Sequence, residues 1–74
     1  METAETKTIE VVLNGAAQTV PAGFMLDQLL EWLKIDASRV AVELEGQIVR
    51  KPDWAATEVR EGARIEVVWF VGGG

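Results

Sequence analysis

Cysteine and histidine are both absent from the 74 residues, and serine occurs once, at Ser38. Without cysteine there is no disulfide framework, no thiolate metal site and no sulfur nucleophile, a composition that fits a reducing cytoplasm. Without histidine there is no imidazole base, no Ser-His-Asp triad and no histidine-bound zinc, so catalysis by the chain's own side chains would rest on carboxylates alone. Basic residues are scarce as well, 7 Lys and Arg against 12 Asp and Glu, for a net charge of -5. Such a surface repels phosphate backbones and anionic headgroups, and neither nucleic acid nor a membrane surface is an expected partner. No apolar run approaches the length of a membrane span. The opening Met1-Glu2-Thr3-Ala4-Glu5-Thr6 has neither the basic nor the apolar region of a signal peptide, and the expected location is the cytoplasm.

What is present is enough apolar residue, 49%, for one small core. At this length only about 60% of the unfolded surface can be buried, which predicts a single domain of modest stability. Thr8 to Leu13 is rich in β-branched residues and stops at Asn14-Gly15, a dipeptide that tolerates positive φ in a two-residue hairpin turn; the returning arm, Ala16 to Val20, is closed by Pro21. Leu26, Leu29, Leu30 and Leu33 then form one apolar helical face, with Asp27, Gln28, Glu31 and Lys34 opposite. Phe24 and Met25 stand where a Ser, Thr or Asp cap is preferred, so the helix start is poorly signalled. A second hairpin is predicted from the alternating Arg39 to Glu45, a turn at Gly46 and a strand from Gln47 to Arg50. Lys51-Pro52-Asp53 breaks that strand. Asp53 is placed to cap a helical turn that sets Trp54 as a plug at the end of the sheet.

Arg64 to Val71 is a nearly continuous apolar run of the kind expected at a sheet's centre. The order ββαββ, a short turn, then β predicts an α+β β-grasp (ubiquitin-like) fold, a mixed sheet of four to five strands with one helix packed across one face. Residues 1-71 form the domain, and 72-74 are expected to be a flexible C-terminal Gly-Gly-Gly tail. Alternation puts Ile65, Val67 and Trp69 on one side of the last strand and Glu66, Val68 and Phe70 on the other, with Ile65 and Val67 toward the helix. Val68 and Phe70 then form an exposed apolar patch beside the tail, a candidate partner surface. Trp32 lies outside the leucine stripe and reads as a residue packed on the helix flank. Glu43, Glu45, Glu58, Glu61 and Glu66 read as solvated charge that steers the chain toward basic partners, and no metal site is expected.

The last strand runs directly into Gly72-Gly73-Gly74. A backbone without Cβ enters a channel too narrow for other residues. From Phe70 to Gly74 it would reach roughly 17 Å at about 3.5 Å per residue. The group so delivered is the Gly74 carboxylate. It is a poor acyl donor until activated, and adenylation by ATP in a partner would give it a good leaving group.

Over nearly its whole length the chain resembles the ThiS family of sulfur-carrier proteins of thiamine biosynthesis. The resemblance is carried by Asn14-Gly15, Pro21-x-Gly23, Leu29-Leu30, Val40-Ala41-Val42-Glu43, Gly46-x-Ile48-Val49, Trp54-x-x-Thr57, Glu61-Gly62-x-x-Ile65-Glu66 and Val71-Gly72-Gly73-Gly74. It implies a protein co-substrate with no cofactor of its own. The carboxylate of Gly74 would be adenylated by an E1-like enzyme of the ThiF type and converted to a thiocarboxylate by a persulfide-bearing sulfur donor. The sulfur would then be used by a thiazole synthase of the ThiG type, with Val68, Phe70, Val71, Gly72 and Gly73 as the partner-binding residues. Other readings that share the tail are the small subunit of molybdopterin synthase, a carrier for another sulfur metabolite, and a protein-conjugating modifier. A plain β-grasp interaction module would leave the glycines without a role.

Overall fold

The computed structural model describes residues 7–71. Five strands and one helix follow in the order β1 (Thr8–Leu13), β2 (Ala16–Pro21), α1 (Leu26–Trp32), β3 (Val40–Leu44), β4 (Gln47–Val49) and β5 (Arg64–Trp69). Short 3-10 turns at Ala37–Arg39 and Lys51–Ala56 precede β3 and follow β4. The strands form one mixed sheet in the order β2-β1-β5-β3-β4, with β1 and β5 parallel and the other neighbours antiparallel. This is the expected β-grasp, with the last strand at the centre. The expected tail, Gly72 to Gly74, lies outside the described residues.

Each hairpin turns on two residues that both take positive φ. Asn14 and Gly15 stand at 49° and 83°, and Glu45 and Gly46 at 52° and 81°. That geometry matches the twist of the flanking strands, and it takes Glu45 out of the predicted strand. Arg39 leaves the strand at the other end because Asp36 caps the 3-10 turn that contains it: the Asp36 carboxylate accepts from Ser38 N–H at 3.0 Å and from Ser38 Oγ at 2.7 Å. Those two bonds, the side-chain one foremost, hold the Asp36 carboxyl below its ordinary pKa of 3.8.

The capless start of α1 is anchored by another part of the chain. Leu26 N–H donates to Thr57 C=O and Val59 N–H to Phe24 C=O, both at 2.9 Å, so a small bridge through Met25 and Glu58 carries the helix entry. The Gln28 side chain adds an acceptor for Met25 N–H at 2.9 Å. Of the first helix N–H groups, that of Leu26 is thus met by a tertiary contact and that of Gln28 by the Asp27 carboxylate at 2.8 Å. At the other end Lys34 takes φ 62°, the left-handed position usually given to glycine.

Asp53 does not cap the second 3-10 turn as predicted. The turn begins three residues earlier than a cap at Asp53 would start it, at Lys51 with Arg50 at its N-cap, and Pro52 stands in its first turn, where a missing N–H costs nothing. Trp54 lies within it, 3% exposed, and its Nε1–H donates to Val49 C=O at 2.8 Å. The core joins Leu26, Leu29 and Leu30 of α1 to Val11, Val20, Val40, Val42, Ile65 and Val67 of the sheet, with Trp54 and Val59 closing one side. Trp32 is half exposed and packs on Phe24, the ring centres 6.2 Å apart. Among the described residues, no helix is long and apolar enough to cross a membrane.

Trp54 therefore contributes both volume and one hydrogen bond to the closure of β4. Replacing Trp54 by Phe should lower unfolding free energy by about 1–3 kcal/mol, since Val49 C=O loses its donor and the smaller ring leaves space. Urea denaturation measures the change, and a shift near zero would mean that water replaces the indole without cost.

Candidate functional site

The site is built where β5 leaves the sheet. Pairing of β5 with β3 runs from Leu44 opposite Ile65 to Val40 opposite Trp69, and one further bond, Phe70 N–H to Arg39 C=O at 2.9 Å, extends it. The predicted strand to Val71 therefore ends two residues early, because its neighbour passes into the 3-10 turn at Arg39. Val71 follows Phe70 with 92% of its surface in water.

Register assigns the two faces. Ile65 and Val67 stand in line with Leu44 and Val42 and point into the core, as expected, whereas Arg64, Glu66 and Val68 point to the face that no helix covers. Phe70 comes next in that alternation. Val68 is 48% and Phe70 61% exposed, so the two residues singled out from the sequence are brought together at the root of the tail. Gly72, Gly73 and Gly74 lie outside the described residues.

Two apolar residues were missed by sequence reasoning. Ile48 of β4 sits opposite Glu43 and is 70% exposed on the same uncovered face. Its signal was available, since the two-residue turn at Glu45-Gly46 fixes that pairing. Trp69 was placed in the column of Ile65 and Val67, yet it is 51% exposed. Its column runs on past the core, and nothing in β5 itself marks where the core stops. Val68, Trp69, Phe70 and Val71 together make an apolar collar on both faces of the strand. Contiguous exposed apolar surface is uncommon on a small domain, which makes the collar the candidate contact surface.

Charge is arranged beside the collar. Glu43 and Glu66 lie directly opposite each other on the uncovered face, an arrangement of like charges that is mildly destabilising in the isolated sheet and is relieved by a basic partner. Opposite Phe70 stands Arg39, whose guanidinium is 3.5 Å from the Asp36 carboxylate. Among the described residues, no group of three or more possible metal ligands gathers.

A family model described as the ThiS family matches residues 4–74. Two proteins named thiazole synthase, from Paramagnetospirillum magneticum and Magnetococcus marinus, are each 36% identical over 66 residues; the match takes up 89% of this chain and 20% of theirs. The chain thus spans about a fifth of the length of these relatives. The protein ycf40 of Porphyra purpurea is 25% identical over 68 residues, covering 92% of this chain and 96% of that one. The crystal structure of the thiamine biosynthesis protein ThiS from Geobacter metallireducens is similar with a TM-score of 0.78 at 33% identity, covering 89% of this chain and 100% of that one. A solution structure of a thiamine biosynthesis protein from the same organism gives 0.74 at 32% identity, covering 89% and 88%.

The division of β5 into core and collar has a direct consequence for stability. Phe70→Ala and Val68→Ala should each change the unfolding free energy by less than about 1 kcal/mol, whereas Ile65→Ala should cost about 2–5 kcal/mol. Chemical denaturation of the three variants distinguishes the classes. A Phe70→Ala loss as large as that of Ile65→Ala would mean that the collar is part of the core.

Proposed function

The chain belongs to the ThiS family of small sulfur carriers of thiamine biosynthesis, and we propose that the group it carries is a thiocarboxylate formed on Gly74. The observation that supports this most is the course of β5. The middle strand of the sheet buries Ile65 and Val67, then passes into an exposed collar that the sequence continues with three glycines. The globule acts as a handle, and the chemistry takes place at the end of the chain, inside partners.

Adenylation of the Gly74 carboxylate by an E1-like, ThiF-type enzyme consumes ATP and releases pyrophosphate. A persulfide-bearing donor then attacks the acyl carbon and displaces AMP. Reductive cleavage of the resulting acyl disulfide by a thiol of the donor system leaves the thiocarboxylate. None of these steps asks for an acid, base or metal from the carrier. That agrees with a chain that has neither histidine nor cysteine. The narrow glycines Gly72 and Gly73 would thread the partner's channel while Val68, Phe70 and Val71 rest on its rim. Reaction in the cytoplasm suits the reducing conditions that a thiocarboxylate needs.

A thiazole synthase of the ThiG type is the proposed acceptor. Support comes from the two relatives that bear this name, each of which contains a stretch similar to nearly the whole of this chain. Carrier and acceptor joined in one polypeptide would meet at high effective concentration. Separate chains must meet by docking, the part assigned to the collar and to the Glu43–Glu66 pair.

Incubation with the E1-like enzyme, ATP and a persulfide donor should raise the intact mass by about 16 Da, the exchange of one oxygen for sulfur. Deleting Gly74 should abolish the gain and leave thermal unfolding unaltered, because residues beyond β5 carry little folding energy. An unchanged mass with every adenylating partner tried would refute the carrier chemistry.

A further inference from the structure

β5 is bonded along both edges for only part of its length. Toward β3 the bonds fall on its even-numbered residues: Glu45 N–H donates to Arg64 C=O at 2.8 Å and Phe70 N–H to Arg39 C=O at 2.9 Å. Successive peptides of a strand point to opposite edges, so the odd-numbered residues face β1. There Val12 N–H donates to Ala63 C=O at 2.8 Å and Asn14 N–H to Ile65 C=O at 2.9 Å.

At that point β1 has reached its turn, and the Asn14 side chain takes the place of the next peptide group. Its Oδ1 accepts from Val67 N–H at 2.7 Å and its Nδ2 donates to Val67 C=O at 3.2 Å. Trp69 is the next odd-numbered residue. Its N–H and C=O, followed by the N–H of Val71, face a notch beyond the Asn14-Gly15 turn. Among the described residues, no backbone or side-chain hydrogen bond reaches these groups.

We infer that this notch receives an extended strand of the activating enzyme, which adds to β5 at Trp69 and Val71. The inference rests on the proposed carrier function and says how the tail is gripped. Gly72, Gly73 and Gly74 offer no side chain to hold, which leaves main-chain hydrogen bonds as the means of reading them, and strand addition supplies those in series. The collar fits the same event. An added strand projects side chains to alternate faces, where they meet Trp69 on one side and Val68 and Phe70 on the other. A second copy of this chain is a poorer occupant, because each copy carries a net charge of -5 and would repel the other. An unprotected edge at a sheet's centre is also uncommon unless something covers it.

Amide hydrogen exchange read residue by residue tests this. In the free chain Val67 and Phe70, whose N–H groups are bonded, should exchange slowly, and Trp69 and Val71 fast. In complex with the E1-like enzyme that adenylates this chain, Trp69 and Val71 should slow by roughly tenfold or more as they gain acceptors. Val71→Pro removes one notch-facing N–H without breaking a bond of the domain. It should weaken that complex by roughly tenfold with an unchanged unfolding midpoint. Fast exchange at Trp69 and Val71 within a formed, adenylating complex, or parental affinity for Val71→Pro, would overturn the strand addition alone. Failure to form any complex or to gain mass would remove the carrier reading beneath it. Slow exchange at both residues in the free chain, with a dimer in sedimentation, would assign the notch to a second copy and equally overturn it.

Discussion

Burial of Ile65 and Val67 against the leucines of α1 is the constraint on which the rest of the molecule depends. Those two side chains hold β5 between β1 and β3, and every other strand is placed relative to it. Because β5 is central, its Arg64 to Val67 segment cannot shift without disturbing both neighbours, and that segment fixes where the strand leaves the core. Under the proposed function a firmly held strand is what a handle requires, since it lowers the ordering cost when a partner takes hold.

The opposite requirement applies one turn of the strand later. After Val67 the core ends, β1 has turned away at Asn14, and β3 gives way to the 3-10 turn at Arg39. Pairing therefore thins in steps, from two neighbours to an asparagine side chain on one edge and a single carbonyl on the other. Apolar residues persist through this thinning and become exposed. In an isolated domain that would be a liability; under the proposed carrier function it would place the contact surface next to the terminal glycines. Buried and exposed apolar residues are thereby separated along one strand.

Much of this was legible in the sequence, and the reasons are particular. Asn14-Gly15 marked the first turn because few dipeptides take positive φ twice; the leucine stripe marked α1, and the run from Arg64 was of the kind expected at the centre of a sheet, where β5 lies. Reading failed where a residue's role is decided by something distant in the chain. The start of α1 has no cap of its own and is held by Thr57 and Val59, a contact that no local pattern near Met25 announces. Trp69 shares the alternation of Ile65 and Val67, yet the core stops short of it. Asn14 was readable as a turn residue and not as a substitute peptide, because that second role depends on β5 lying beside it 53 residues later. Strand ends were set too generously for the same reason: Arg39, Glu45, Arg50 and Val71 fit the pattern but not the neighbours.

The central claim, that this chain delivers sulfur through its terminal glycine, is tested most directly by following the atom. The chain is first loaded with isotopically heavy sulfur and then given to a thiazole synthase with its other substrates. The account predicts that the heavy isotope appears in the thiazole product while the protein returns to its carboxylate mass. Unlabelled thiazole formed while the protein keeps its sulfur would contradict it.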